Sequence, residues 1–316
     1  MPCKTNRNSE TCGRKKLNSA NRLFRIFDSG ATAEPLDEIL ALSEQISPSV
    51  DHHTITSCHH DIQDIFSGTY PGFKENGNKY HNLRHTYSVA LATIRLFHGL
   101  SVEGYQFSED IIVKGILSSY FHDTGLLLRS FDTAENGAEF TRIHEDRSIS
   151  SLHKYLDIYD FSEEMLSDCS SIIRCTDLEC DIDAIEFNSS EVKLAGQILG
   201  SADVLAQMAD RYYLERLPFL FQERHTGGLN EYPSAFDLMK DTKNFYRDII
   251  VKRLKEDLGN SARAMRTHFN SRWNINRDLY TENIEKNITY LQKIIKKSND
   301  NFDEFRGHLR RHPPAE

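Results

Sequence analysis

The chain has 316 residues, 39% of them hydrophobic and 27% charged, and a formal net charge of −9. Such a composition suits a globular protein long enough for one large domain or two ordinary ones, and no apolar run approaches the roughly 18 residues that a membrane span requires. The negative balance also weighs against a nucleic-acid partner, because phosphate backbones are gripped through clustered positive charge.

In chain order, residues 1–35 carry basic side chains with no apolar segment behind them and read as a mobile tail rather than a secretory signal. Cys3, Cys12, Cys58, Cys169, Cys175 and Cys180 are too sparse and irregular for a disulfide framework, which fits a reducing, cytoplasmic setting. Residues 36–69 read as a helical extension. Its run from Asp51 to Asp61 holds His52, His53, Cys58, His59 and His60. On a helix starting near Thr56, His59 and His60 point in different directions and no zinc spacing is repeated, so a solvated helix face is expected there.

From residue 70 to 260 the apolar pattern is helical throughout, so the fold class is all-α. Asn82 to Phe97 places Val89, Ala90, Ile94 and Phe97 at helical spacing, with Gly99 as a stop. A helix opening at Ser108 buries Ile112, Ile116 and Tyr120, which puts His122 and Asp123 near its C-terminal end. Residues 141–158 and 162–175 each fit a one-sided helix, and the acidic stretch through Asp177, Glu179, Asp181 and Asp183 reads as loop. A long helix from about Glu191 to Leu217, ended by Pro218, follows. Gly227 and Gly228 mark a loop before a further helix from Ser234 to Leu258, with Gly259 as its stop. Residues 261–316 form a helical C-terminal extension ending in a frayed basic tail. Its seam of Ile284, Ile288, Leu291 and Ile295 suits either a homodimer or packing back onto the domain.

Chemistry concentrates in His85, the pair His122 and Asp123, and Asp203. Asp203 lies among Ala195, Ile198, Leu199, Ala202, Leu205 and Ala206, and an acid in that much apolar surface needs a partner. Two imidazoles and two carboxylates make a mixed nitrogen and oxygen set that suits Zn²⁺, Mn²⁺, Fe or Ni better than Mg²⁺ alone. The ligands sit far apart in the chain, so only tertiary packing can join them.

Over residues 80–210 the chain resembles the HD-domain metal-dependent phosphohydrolases, in particular their cyclic-nucleotide phosphodiesterase-like branch. The resemblance rests on Tyr80-His81-Asn82-Leu83-Arg84-His85, which looks like that branch's YHNxxH motif, then on His122-Asp123 and Ala202-Asp203. It implies a helical bundle with an HD-type domain over 70–260. It also implies that His85, His122, Asp123 and Asp203 bind a divalent metal (Zn, Mn, Fe, Ni or Mg), with Asp123 bridging to a second one where two are bound. The catalytic roles fall to Asp123 and to His81, which occupies the place of the general acid. Four residues apart on a helix, His81 and His85 are expected on one face. The implied reaction is cleavage of a small phosphate ester by metal-activated water.

His144 and Glu145 are expected around the metal, with Asn82 and Arg84 as further substrate-side candidates. Arg84, Arg129 and Arg147 can each meet a substrate phosphate or a surface carboxylate, and Met208, Tyr212 and Tyr213 read as core. Two departures narrow the substrate. Asp123 is followed by Thr124, Gly125, Leu126 and Leu127, without the histidine usual in cyclic-nucleotide enzymes, and the stretch from Thr242 to Tyr246 has no purine-holding glutamine, Gln222 being the nearest. The other reading of the same residues is a non-catalytic nucleotide-sensing or scaffold module.

Overall fold

Helices follow one another along a computed structural model that describes residues 35–299, 301–309 and 311. They are α1 (Pro35–Ile46), α2 (His52–Ser67), α3 (Leu83–Val102), α4 (Glu109–Phe121), α5 (His144–Ile158), α6 (Glu163–Arg174) and α7 (Ser190–Ala209). After these come α8 (Tyr213–Thr226), α9 (Ala235–Asn244), α10 (Val251–Lys255), α11 (Ala264–Trp273), α12 (Leu279–Lys297) and α13 (Phe302–Arg306). Among the described residues there is no strand, only an isolated bridge between Phe73 and Arg129, so the chain is all-α. None of these helices is long and apolar enough to cross a membrane. The tail expected over 1–35 lies outside the described residues except for Pro35, as does the end of the basic C-terminus.

Helix α3 is the axis of the molecule. Its residues from Val89 to Leu100 are all buried, the mark of a helix surrounded by protein. It packs against α7, α11, α1 and α4, while α7 in turn carries α6 and α12. One apolar core runs from Leu36 to Phe305, so the segments flanking 70–260 contribute side chains to it directly. The Ile284, Ile288 and Leu291 seam is buried within the chain against α7 and its neighbours.

Capping residues set several boundaries where expected. Ser108 accepts from Ile111 N and Ser162 from Met165 N, each satisfying an amide that the first helical turn leaves free. Other boundaries differ. Helix α3 runs through Gly99 to Val102 because the glycine is there for close packing, a Cβ at that position lying 2.1 Å from the Ala264 carbonyl oxygen. Helix α2 starts at His52, not near Thr56, since the Asp51 carboxylate accepts from His53 N and Thr54 N. The face expected to be solvated is split: His59 is buried, stacks on Tyr87 at 4.5 Å and shares a 2.8 Å hydrogen bond with the Tyr120 hydroxyl, while His60 is exposed.

The expected long helix over 191–217 is two. Asp210 is extended (φ −55°, ψ 136°), its carboxylate accepts from Tyr212 N, and Asn287 on α12 donates to the Met208 and Asp210 carbonyls that the break frees. Pro218 falls inside α8 rather than ending a helix. The helix expected over 234–258 opens at Ser234 but passes through a π-helical turn, Phe245–Ile250, before α10. Beyond α12 the chain does not simply fray, because Phe305 is fully buried and the His308 carbonyl accepts from the Tyr290 hydroxyl at 2.8 Å.

Candidate metal centre

His85 comes from the first turn of α3, His122 from the C-cap of α4, Asp123 from the residue after it and Asp203 from the middle of α7. Packing of α3 on both α4 and α7 brings them together. His85 Nε2 lies 3.1 Å from Asp203 Oδ1 and 3.4 Å from Asp123 Oδ2, and His122 Nε2 lies 3.2 Å from Asp123 Oδ2 and 3.7 Å from Asp203 Oδ1. Ligand atoms sharing one ion at about 2.0–2.2 Å in a tetrahedral shell sit roughly 3.4 Å apart, which these four contacts approach.

The donor chemistry fits as well. All of His85 Nε2, His122 Nε2, Asp123 Oδ2 and Asp203 Oδ1 are buried without a hydrogen-bond partner. Orphaned buried polar atoms are costly, and four in one cluster call for a partner. His85, His122 and the partly exposed Asp203 form the group whose ligand atoms all lie within 4.8 Å of one another and could hold a metal ion; Asp123, expected to share it, is not in that group and borders it through the two imidazoles. The His122 ring is held by its other nitrogen, since Nδ1–H donates to the Ser119 carbonyl at 2.8 Å and leaves the Nε2 lone pair for the cluster.

Electrostatics carries the same demand for positive charge. Burial opposes protonation of His122, yet the Asp123 and Asp203 carboxylates outweigh it and hold the imidazole well above its ordinary 6.5. Burial also works against ionising Asp123, but the charges of His122, His81 and His85 bring its carboxyl well below the usual range. Asp203 is lowered in the same way, against burial, by His122 and His85. The two carboxylates thus favour a proton on His122.

His144 and Glu145 border the cluster. His144 Nδ1–H donates to the Thr141 carbonyl at 2.7 Å, and Nε2 faces Asp123 Oδ1 at 3.7 Å. Gly125 makes this approach feasible, because any Cβ there would lie 1.9 Å from the His144 carbonyl oxygen. Burial raises the Glu145 carboxyl, His144 counteracts it, and the charges of Asp177 and Asp123 push it up further. Asp177, read from sequence only as part of an acidic loop, therefore belongs to the same electrostatic site.

His81 is not on the helix with His85. It lies in the turn before α3, where Asn82 caps the helix by accepting from His85 N at 3.0 Å. The two rings are still neighbours, with centroids 5.9 Å apart. His81 Nδ1–H donates to Glu223 Oε2 at 2.7 Å while Glu223 Oε1 accepts from Tyr80 N, also at 2.7 Å. Burial would lower the His81 pKa, but the Asp123, Glu223 and Asp203 charges outweigh it and raise it above 6.5.

The remaining candidates point elsewhere. Arg84 lies over the Tyr212 ring at 5.3 Å, with Asp210 at 3.9 Å. Arg147 donates to the Gly125 and Leu127 carbonyls and to Asp132, and Arg129 donates to the Arg147 carbonyl and Ser151, so both brace loops. Glu223 and Arg216 escaped the sequence reading. The one trace in the sequence is an acid and a base seven residues apart, hence on one face of a helix that carries several other charges. Compared with family models, curated proteins and solved structures, the chain shows no match to any of the three.

Proposed function

We propose that this protein is a metal-dependent phosphohydrolase of the HD superfamily that cleaves a small phosphate ester. The observation that carries the reading is the clustering of four buried, unpartnered ligand atoms, three of them within 4.8 Å of one another, beside a histidine whose proton is held by a buried glutamate. In this reading His85, His122, Asp123 and Asp203 bind the divalent cation. When bound, that cation supplies Lewis acidity toward a phosphoryl oxygen and activates water. The Ser119 carbonyl fixes the His122 ring in the neutral tautomer that leaves its Nε2 lone pair free for binding. His81 is the proton donor: its Nδ1–H stays on Glu223, and Nε2–H is the proton given to the leaving oxygen. Glu223 favours the protonated ring, which keeps the acid loaded near neutral pH.

The test combines metal analysis of the purified protein with a hydrolysis screen over cyclic nucleotides, nucleoside mono- and triphosphates, dinucleotides and 4-nitrophenyl esters, with Mn²⁺, Fe²⁺, Zn²⁺ or Mg²⁺ supplied. Turnover that disappears in Asp123→Ala along with the metal is the expected result. Metal binding without cleavage of any ester replaces this reading with the nucleotide-sensing module.

A further inference from the structure

The turn bearing His81 is held from one side by a single helix. Arg216 and Glu223 are both buried, at 7% exposure each, and both reach Tyr80 from α8. Glu223 takes the Tyr80 N–H, and the Arg216 guanidinium donates to the Tyr80 carbonyl. The same guanidinium nitrogen lies 3.1 Å from Asn82 Oδ1, the oxygen that caps α3 at His85 N. Its other terminal nitrogen donates to Asp210 Oδ2 at 3.1 Å. Asp210 sits at the break between α7 and α8, where Asn287 from α12 holds its carbonyl at 2.9 Å. Tyr80, His85, Asp210 and Arg216 line one cleft, so this chain of bonds lies directly behind the cluster.

Resting on the phosphohydrolase reading, we infer that Arg216 is the positioning residue that fixes the Tyr80–Asn82 turn, and with it His81, over the metal ligands, with Asp210 and Asn287 holding Arg216 in place. A buried ion pair is by itself weak evidence of a stabilising role. Here the guanidinium spans three acceptors from two separate nitrogens, a reach that its rigid planar fork supplies and the single nitrogen of a lysine ammonium does not. Two of those acceptors belong to the turn and the third to the helix break. Arg216 thus joins the end of α7 to the start of α3, the helices that carry Asp203 and His85.

The experiment compares wild type, Arg216→Lys and Asn287→Ala, each loaded with Mn²⁺. Hydrogen exchange is measured over residues 79–86, and hydrolysis is measured on a 4-nitrophenyl phosphodiester and on a methyl phosphodiester, whose leaving group needs a proton. The expected result is faster exchange over 79–86, on the order of tenfold for a lost hydrogen bond to a charged group, with α4 protected as in wild type. Metal content stays unchanged, and kcat falls on the order of 10²-fold on the methyl ester, the scale of a misplaced catalytic group, but little on the 4-nitrophenyl ester. Should Arg216→Lys unfold, Asn287→Ala, which lies outside the site, decides the matter. Wild-type exchange over 79–86 in both variants overturns the inference, as does loosened exchange with unchanged leaving-group selectivity. A wild type that cleaves neither ester removes the functional reading instead, and the exchange measurement alone then judges the clamp.

Discussion

Glu223 ties the proton on His81 to a helix 142 residues away, and that distance is why the sequence did not reveal it. A histidine four residues before another histidine is visible in a motif, but a carboxylate within Phe219-Leu220-Phe221-Gln222-Glu223 looks like any acid on a helix. Glu223→Gln keeps an oxygen for the Tyr80 amide but loses the charge that favours protonated His81. Metal content should stay while turnover of a methyl phosphodiester falls, by roughly 10- to 10²-fold, part of the 10²–10⁴ that general acid catalysis supplies. Unchanged turnover in an active preparation would remove the proton-donor role. His59 makes a second case at this scale. Burial, with a smaller contribution from His60, lowers its pKa from 6.5 to about 4. Above pH 6.5 the ring is neutral in folded and unfolded chains alike, so its stabilising contribution is complete. Between pH 6.5 and 4 only the unfolded chain takes the proton, and stability drops as pH falls, by at most about 1.4 kcal/mol per pH unit. His98 and His268 are held low by burial too and add to the same trend. The difference in urea midpoint between wild type and His59→Gln isolates the His59 share, and parallel pH curves for the two would contradict it.

At the level of helices, boundaries set by short-range chemistry were legible and those set by distant partners were not. Ser108 and Ser162 cap the helices that follow them within three residues, so α4 and α6 begin where the sequence places them. The break at Asp210 depends on Asn287, 77 residues further on, and the continuation of α3 through Gly99 depends on the backbone of Ala264. Local pattern cannot report either contact. Helix α4 also hides a charge that the pattern did not single out. Lys114, only 4% exposed, donates to Asp168 Oδ2 at 2.7 Å and pairs with Asp110, while Asp168 itself is 1% exposed. Burial disfavours the ammonium, but Asp110 and Asp168 more than offset it and raise its pKa. Lys114→Met would leave Asp168 with the Asn188 amide as its remaining donor, at 2.8 Å. The expected loss is about 3–5 kcal/mol by urea denaturation. Replacing both partners, Lys114→Met with Asp168→Leu, should recover most of it, since no unpaired charge is then left inside. A single-variant loss below about 1 kcal/mol would mean that water reaches Asp168.

For the molecule as a whole, the His/Asp cluster and the core are built by the same packing. The all-α class was legible because apolar residues recur at helical spacing throughout, and His85, His122, Asp123 and Asp203 were legible because short motifs mark them. Their meeting point was not, because it is made by α3 packing on α4 and α7. A cation held there joins these helices at the centre of one continuous core, so its binding energy should appear as global stability rather than as local order. At 100 times its dissociation constant a ligand adds about 2.7 kcal/mol to the folded state, and in a chain of this size that corresponds to a rise in Tm of roughly 4 °C. Calorimetry of metal-stripped protein with Mn²⁺ or Zn²⁺ added back should therefore move the main transition as one unit, and EDTA should reverse the shift. Asp123→Ala should abolish the response, because Asp123 faces both imidazoles. His144→Ala, which removes a ring that only borders the cluster, should keep most of it. A metal-induced shift that survives in Asp123→Ala would place the ion elsewhere in the chain, and no shift with either metal would remove the cation from the cluster.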